Sequence, residues 1–138
     1  MNGPSNILPS GEKDLKTLIS NMEPVLNRGA YVFTSVQDTH HIPEDYIIGK
    51  FQEQEGITII IPKDMADILN LKYDFIAAWI TLKVHSSLDA VGLTAAFSTA
   101  LSDHDISCNV VAGYYHDHIF VNVKDKKKAM DVLHAMSE

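Results

Sequence analysis

Trp79-Ile80-Thr81-Leu82-Lys83-Val84-His85 is the run that decides the fold, together with Leu93-Thr94-Ala95-Ala96-Phe97-Ser98-Thr99-Ala100-Leu101, which follows it after a short turn. In the first run Ile80, Leu82 and Val84 alternate with Thr81, Lys83 and His85, the period of two that marks a strand with one covered face. In the second, Leu93, Ala96, Phe97, Ala100, Leu101 and His104 share one stripe, while Thr94, Ser98, Ser102 and Asp105 share the opposite one. That is the 3.6-residue period of an amphipathic helix. The pair therefore predicts a strand that turns through Ser86–Gly92 into a helix lying back on its own sheet.

Working outward, Ile106–Gly113 and His118–Val123 read as strands, and the short link Tyr114–Asp117 makes them a hairpin. Asp125 is placed to cap a last helix with Ala129, Val132, Leu133 and Met136 inward. Residues 75–136 thus give β-α-β-β-α, five of the six elements of a ferredoxin-like βαββαβ unit. The first ten residues, with Gly3, Pro4 and Pro9, form a lead-in. A helix follows from Glu12 with Leu15, Leu18, Ile19 and Met22 on one face, and Pro24 and Gly29 then bracket a turn. Tyr31–Val36 is β-branched and aromatic, hence a strand. Gln37–Asp45 is a polar loop, and Ile47–Gln54 and Ile57–Ile61 flank a tight turn at Glu55-Gly56. Lys63–Asn70 closes the half as a short helix carrying Met65, Ile68 and Leu69.

The expected class is α+β: a tandem of two incomplete βαββαβ units with antiparallel sheets and helices on one face. The lead-in is 1–10, the first unit 11–72 and the second 73–138. The first half lacks an obvious opening strand and the second its last one. Two truncated copies that share or swap strands is the economical reading, with Asn6–Leu8 or another chain as the source of the missing edge strand.

The chain has 138 residues, 46% hydrophobic and 21% charged, enough apolar material for a shared core without staples. Eleven basic against 18 acidic residues give a net charge of −7, which opposes nucleic acid. Lys126-Lys127-Lys128 at a helix start reads as a solvated face. One cysteine, Cys108, leaves no intrachain disulfide and no cysteine-rich zinc site, and fits a reducing compartment. With no signal-peptide pattern and no run near the ~20 apolar residues of a membrane span, the expectation is a soluble, cytoplasmic protein without a membrane partner.

His116-Asp117-His118, with His40, His41, His85 and His104 elsewhere, invites a metal reading, and equally reads as turn and sheet-face polar residues. No HExxH, cysteine pair or third ligand accompanies it, so no metal site is expected. Asp117 is placed to hold the turn, and His118 faces the side of Phe120 and Asn122. Cys108 shares a face with Val110 and Ala112, where a thiol is inert. With no nucleophile elbow, P-loop or dinucleotide fingerprint, no catalytic residue and no cofactor is expected.

The start of the helix after Gly92 offers unpaired N–H groups and a positive dipole end, which suit a carboxylate. Val91, Leu93 and Thr94 could donate, Gly92 lets a ligand approach the backbone, and Asp89 could pair with an ammonium. Equally, Asp89 or Ser87 caps the helix and Gly92 only relieves crowding. The other sheet face carries Trp79, Thr81, Lys83, Val111, Phe120 and Asn122, too apolar for full solvation. Either the first-half sheet or a second copy covers it, and a homodimer is expected.

The segments Val84–Ala96 and Cys108–Val121 resemble the small bacterial ACT-domain proteins of the ACT domain 3 family, which is similar to the regulatory domains of lysine-sensitive aspartokinases. Gly29-Ala30-Tyr31-Val32-Phe33 and Glu53–Thr58 extend the resemblance to the first half. It implies a regulatory, non-enzymatic module that binds a small molecule, an amino acid by preference, at an interface between ACT units. The implied site is the loop with Ser87, Asp89, Val91, Gly92, Leu93 and Thr94, facing the strand of Asn109, Val110 and Val111. The triplet His116, Asp117 and His118 would add a polar ligand or interface role. Implied partners are the amino acid, a second copy and a separate effector protein. The alternative is a protein of the same fold that only dimerises or docks a partner.

Overall fold

The computed structural model describes residues 14–84, 87 and 89–138. Among them the elements run α1 (Leu15–Asn21), β1 (Glu23–Leu26), β2 (Tyr31–Val36), β3 (Gly49–Gln52), β4 (Ile57–Pro62), α2 (Lys63–Ile68), β5 (Ile76–Lys83), α3 (Leu93–Ser102), β6 (Asn109–Ala112), β7 (Asp117–Asn122) and α4 (Lys126–Met136). One-turn 3₁₀ helices at Glu44–Tyr46 and Val123–Asp125 precede β3 and α4. The strands form one seven-stranded antiparallel sheet in the order β3-β4-β2-β5-β7-β6, with β1 also on β5.

Strand β5 explains how two incomplete units become one body. Its first residues pair with β2 (Val32↔Ile76, Tyr31↔Ala77), and its later ones pair with β1 on the same side (Leu26↔Ile80 to Glu23↔Lys83). Its other side pairs with β7 from Ala77↔Asn122 to Leu82↔Asp117. The first unit, β2-β3-β4-α2, takes β5 as its last strand, and the second, β5-α3-β6-β7-α4, begins on that same strand. The last strand of the second unit is β1, supplied from within the chain. Asn6–Leu8, the intrachain source considered from sequence, lies outside the described residues, as does His85 at the end of the predicted strand. Pro24 sits in β1, where a residue that cannot donate to the ladder is tolerated because β1 has no second neighbour among the described residues.

All four helices lie on one face. Cross-strand partners share a face, so Val32, Ile61, Ile76, Ile80 and Leu82 point the same way. Over the second unit Phe97, Leu101, Leu133 and Ala129 close on Ile80, Leu82, Ile119 and Val121. Leu18 and Met22 of the α1 segment join that core, although the sequence reading places them in the first unit, 11–72. Ala66 of α2 covers Val32, Ile59 and Ile61, while Ile68 at the end of α2 is 71% exposed instead of inward. Helix α4 is reached through the 3₁₀ turn, which Asn122 caps by accepting from the Lys124 N–H at 3.0 Å, and Asp125 holds the N-cap position of α4 as expected, without a side-chain hydrogen bond.

The opposite face is covered within the chain at its centre, while Val111 and Lys83 on it stay exposed. Tyr31, Ile60, Ala77 and Phe120 are buried there, with Phe33, Phe75 and Trp79 packed on them. The sheet curls enough that Ile48 and Gly49, at its β3 edge, line the same cavity as Val111 of β6.

Leu18→Ala should cost about 2–5 kcal/mol, the range for emptying a fully buried aliphatic site. Amide hydrogen exchange should rise in α3 and β7 more than in β4. Equal loss across both halves would contradict the placement of α1 in the second unit's core.

Candidate functional site

Helix α3 begins without a side-chain cap. Gly92 occupies the N-cap position at φ 103°, ψ −20°, a left-handed conformation that strains any side chain. A Cβ there would also stand 3.2 Å from Leu15 Cδ2, so α1 presses on the glycine from behind. The first turn carries no acidic residue, and no side chain among the described residues bonds to its N–H groups. In this ten-residue helix, the positive dipole end is left facing a small cavity.

That cavity, about 120 Å³, is lined by Ser87 and Ala90 of the preceding loop, by Gly92, Leu93 and Thr94, and across from them by Ala112 and Asp117. Asp117 opens β7 opposite Leu82 and therefore points to the helical face with Ile119 and Val121. It is 8% exposed, and its carboxylate has no hydrogen bond or ion pair among the described residues. Burial pushes the carboxyl above its ordinary range, an effect that the adjacent His118 and His116 partly counter. A buried acceptor-only group and an uncapped array of donors thus face one cavity, an arrangement that complements a zwitterion.

The other predicted residues distribute as strand periodicity requires. The strand residue at the cavity is Ala112, because alternation turns Asn109 and Val111 to the opposite sheet face and packs Val110 into the helical core. Asn109 Nδ2 donates to the Phe120 carbonyl at 3.3 Å. Val91 is 83% exposed. Asp89 is exposed at the rim, where Ser87 Oγ donates to its carboxylate. The two histidines part company: His116 is half-buried with its Nδ1 unpartnered, and its carbonyl accepts from the Gly113 N–H at 2.9 Å. His118 lies on the far face, where Trp79 Nε1 donates to its Nδ1 at 3.0 Å.

Sequence reasoning missed Ala90 and Ala112, and it placed Asp117 at the turn and in an additional polar site with His116 and His118 instead of opposite the start of α3. The available signal was a carboxylate in phase with Ile119 and Val121, on the buried side of its strand. Among the described residues no three histidine, cysteine or acidic groups cluster as metal ligands. Burial pushes the Cys108 thiol up, a shift partly offset by a hydrogen bond with Ser98. No described helix is long and apolar enough to cross a membrane.

Two family models, each described as an ACT domain, match residues 10–78 and 75–135. The chain belongs to the ACT-domain family. A protein of unknown function from Vibrio cholerae, VC0802, described as a possible transport protein, is 41% identical, with 90% of this chain and 96% of that one covered and a TM-score of 0.79. The ligand-free regulatory subunit of aspartate kinase from Thermus thermophilus shares the fold at 9% identity, covering 87% of this chain and 99% of that one, with a TM-score of 0.61. The Clostridium acetobutylicum aspartate kinase, titled an allosteric enzyme, matches 83% of this chain over 34% of its own at 10% identity and a TM-score of 0.58. No match was found among curated protein sequences. In ACT order, β5 is the first strand of the second unit and β7 its third, so the cavity lies where the first strand runs into the first helix.

The sign of the Asp117 effect is testable. Its folded-state pKa is raised above the ordinary 3.8, so the folded state binds more protons between those values, stability falls as pH rises through that window, and the loss persists at neutral pH. Asp117→Asn should therefore melt higher than the ligand-free parent at pH 7, with the advantage gone below about pH 4. His118 carries the opposite sign, since burial lowers its pKa from 6.5. That contribution is complete above pH 6.5 and is lost as pH falls through the lowered value. Thermal melts from pH 3 to 8 on both proteins check the two signs.

Proposed function

We propose that this chain is a non-catalytic ACT-type regulatory module that takes the head group of a free α-amino acid in the cavity before α3. The observation that carries the proposal is the Asp117 carboxylate, 8% exposed and without a partner among the described residues, facing the uncapped start of α3 across about 120 Å³. The ligand carboxylate would accept from the first N–H groups of α3, with Gly92 allowing the approach. Its ammonium would meet Asp117, turning a group that weakens the empty protein into one side of a charge-assisted hydrogen bond. The small volume fits the head group alone, leaving the ligand side chain to pass Ser87 and Asp89 at the rim.

Membership in the ACT family supports the regulatory reading, and the resemblance to aspartokinase regulatory domains supports an amino acid as ligand. A homodimer that covers the rim, and an effector protein that reads a ligand-driven change in its geometry, complete the proposal; it places the module in the cytoplasm. A docking-only reading draws on a different feature, the apolar groove of about 450 Å³ between α3 and α4, lined by Ala100, Val132, Ala135 and Met136.

The test is a thermal-shift and calorimetric screen of the twenty amino acids against the full chain. A cognate ligand at 100 times its Kd should stabilise by about 2.7 kcal/mol. Asp117→Asn should abolish that response while remaining folded, and Gly92→Ala should weaken it. Silence from all twenty, or an undiminished response in Asp117→Asn, would sink the reading.

A further inference from the structure

The imidazole of His118 is held between two parts of the second unit. At one edge Trp79 Nε1 donates to its Nδ1 at 3.0 Å, and Thr81 Oγ1, which accepts from Asn27 Nδ2 at 2.9 Å, lies 3.2 Å from the same nitrogen. At the other edge the ring lies against Gly113, where an added Cβ would stand 3.2 Å from Nε2 and 3.3 Å from Cδ2. An indole N–H can only donate, so Nδ1 accepts, and the ring is neutral with its proton on Nε2.

Gly113 is where this ring touches the β6–β7 turn. The Gly113 N–H closes that turn by donating to the His116 carbonyl at 2.9 Å, while the buried Nδ1 of His116 has no partner among the described residues. Ala112 and Asp117 flank the turn as cross-strand partners, and both line the cavity before α3. A push on Gly113 therefore reaches that cavity.

Protonation makes the arrangement untenable. An imidazolium carries an N–H on both nitrogens, so two donors would face each other across 3.0 Å and the Trp79 N–H would lose its acceptor. Withdrawal from Trp79 relieves the clash, and Gly113 stands behind the ring. Burial, then the neighbouring His116, hold His118 below its ordinary 6.5, and Asp117 partly offsets them. On β5, Lys83 lies exposed two positions beyond Thr81 on the same face, and Tyr31 of β2 packs edge-on against Trp79 with centroids 5.3 Å apart. Ile47, Ile48 and Gly49 on the β3 side, and Val111 opposite His118 on β6, carry no titrating group.

We propose that His118 is an acid-sensitive positioning residue: neutral, it braces Trp79 against the β6–β7 turn, and protonated, it leaves Trp79 and opens the turn that holds Ala112 and Asp117 at the cavity. A charged ring also sets a cation near Asp117, where it competes with a ligand ammonium. Both effects weaken ligand binding in acid. That consequence rests on the amino-acid reading above, whereas the movement itself needs no ligand and is tested without one.

Ligand-free, full-length protein titrated from about pH 8 to about pH 5 is followed by NMR at the indole N–H of Trp79, the chain's one tryptophan, and by hydrogen exchange at the Gly113 amide, corrected for its intrinsic rate. The Trp79 resonance should shift with a midpoint below 6.5, and Gly113 protection should fall at least ~10-fold through the same midpoint. His118→Asn offers Trp79 an uncharged acceptor and should keep that protection level. Trp79→Phe removes the opposing donor and should raise the His118 midpoint, read at its ring protons, toward 6.5. Protection that stays level in the parent, or falls equally in His118→Asn, would overturn the proposal. Silence in the amino-acid screen beside an intact acid response would leave the switch standing and remove only the ligand.

Discussion

Everything in this chain depends on β5 serving two units at once. Ala77, Ala78, Ile80 and Leu82 are completely buried, and the strand is paired on one side with β2 and β1 in succession and on the other with β7. A strand with both edges paired and both faces covered leaves little freedom of register, since a one-residue slip would exchange Ile80 and Leu82 with Trp79 and Thr81. The two units therefore cannot fold apart without one of them losing a strand. The economy also explains why 138 residues suffice for a tandem: β5 is counted twice, and β1 is borrowed from the front of the chain.

The same strand register sets the chemistry. Pairing Leu82 with Asp117 and Thr81 with His118 sends neighbouring residues of β7 to opposite faces of the sheet. Asp117 goes to the start of α3 and His118 to the aromatic side, each with its protonation shifted by burial toward the neutral form. Among the described residues the Asp117 carboxylate has no partner, and burying it that way costs stability. The helix start repeats the pattern with opposite polarity, its donors left uncapped behind a glycine that α1 holds in place.

Much of this architecture is legible from alternation and helical period alone. The β-α-β-β-α order of the second half, the inward set of α4 and the one-sided helices follow from residues such as Ile80, Phe97 and Leu133. Strand β1 is illegible for a physical reason: four residues containing Pro24 read as a turn, and only pairing with β5 makes them a strand. Helix α1 has a clear apolar face, but periodicity cannot say which sheet it covers, and it joins the core farther along the chain. At the site, Gly92 and the helix start are visible in the sequence. Asp117 is singled out there with His116 and His118 as a polar triplet, but its position opposite the start of α3 emerges only from the folded chain. Similarly, Asn109 and Val111 are expected at the cavity by their strand, and the strand's own alternation turns them away.

The central claim is that the Asp117 carboxylate, largely buried and without a partner among the described residues, is the group that a ligand ammonium meets. The direct measurement is the side-chain carboxyl carbon resonance of Asp117 followed by NMR through an acid titration, without and then with a saturating amino acid that stabilises the fold. The account predicts titration above the ordinary 3.8 in the free protein and a fall toward or below it in the complex. An ordinary titration in the free protein, or one that no amino acid moves, would contradict it.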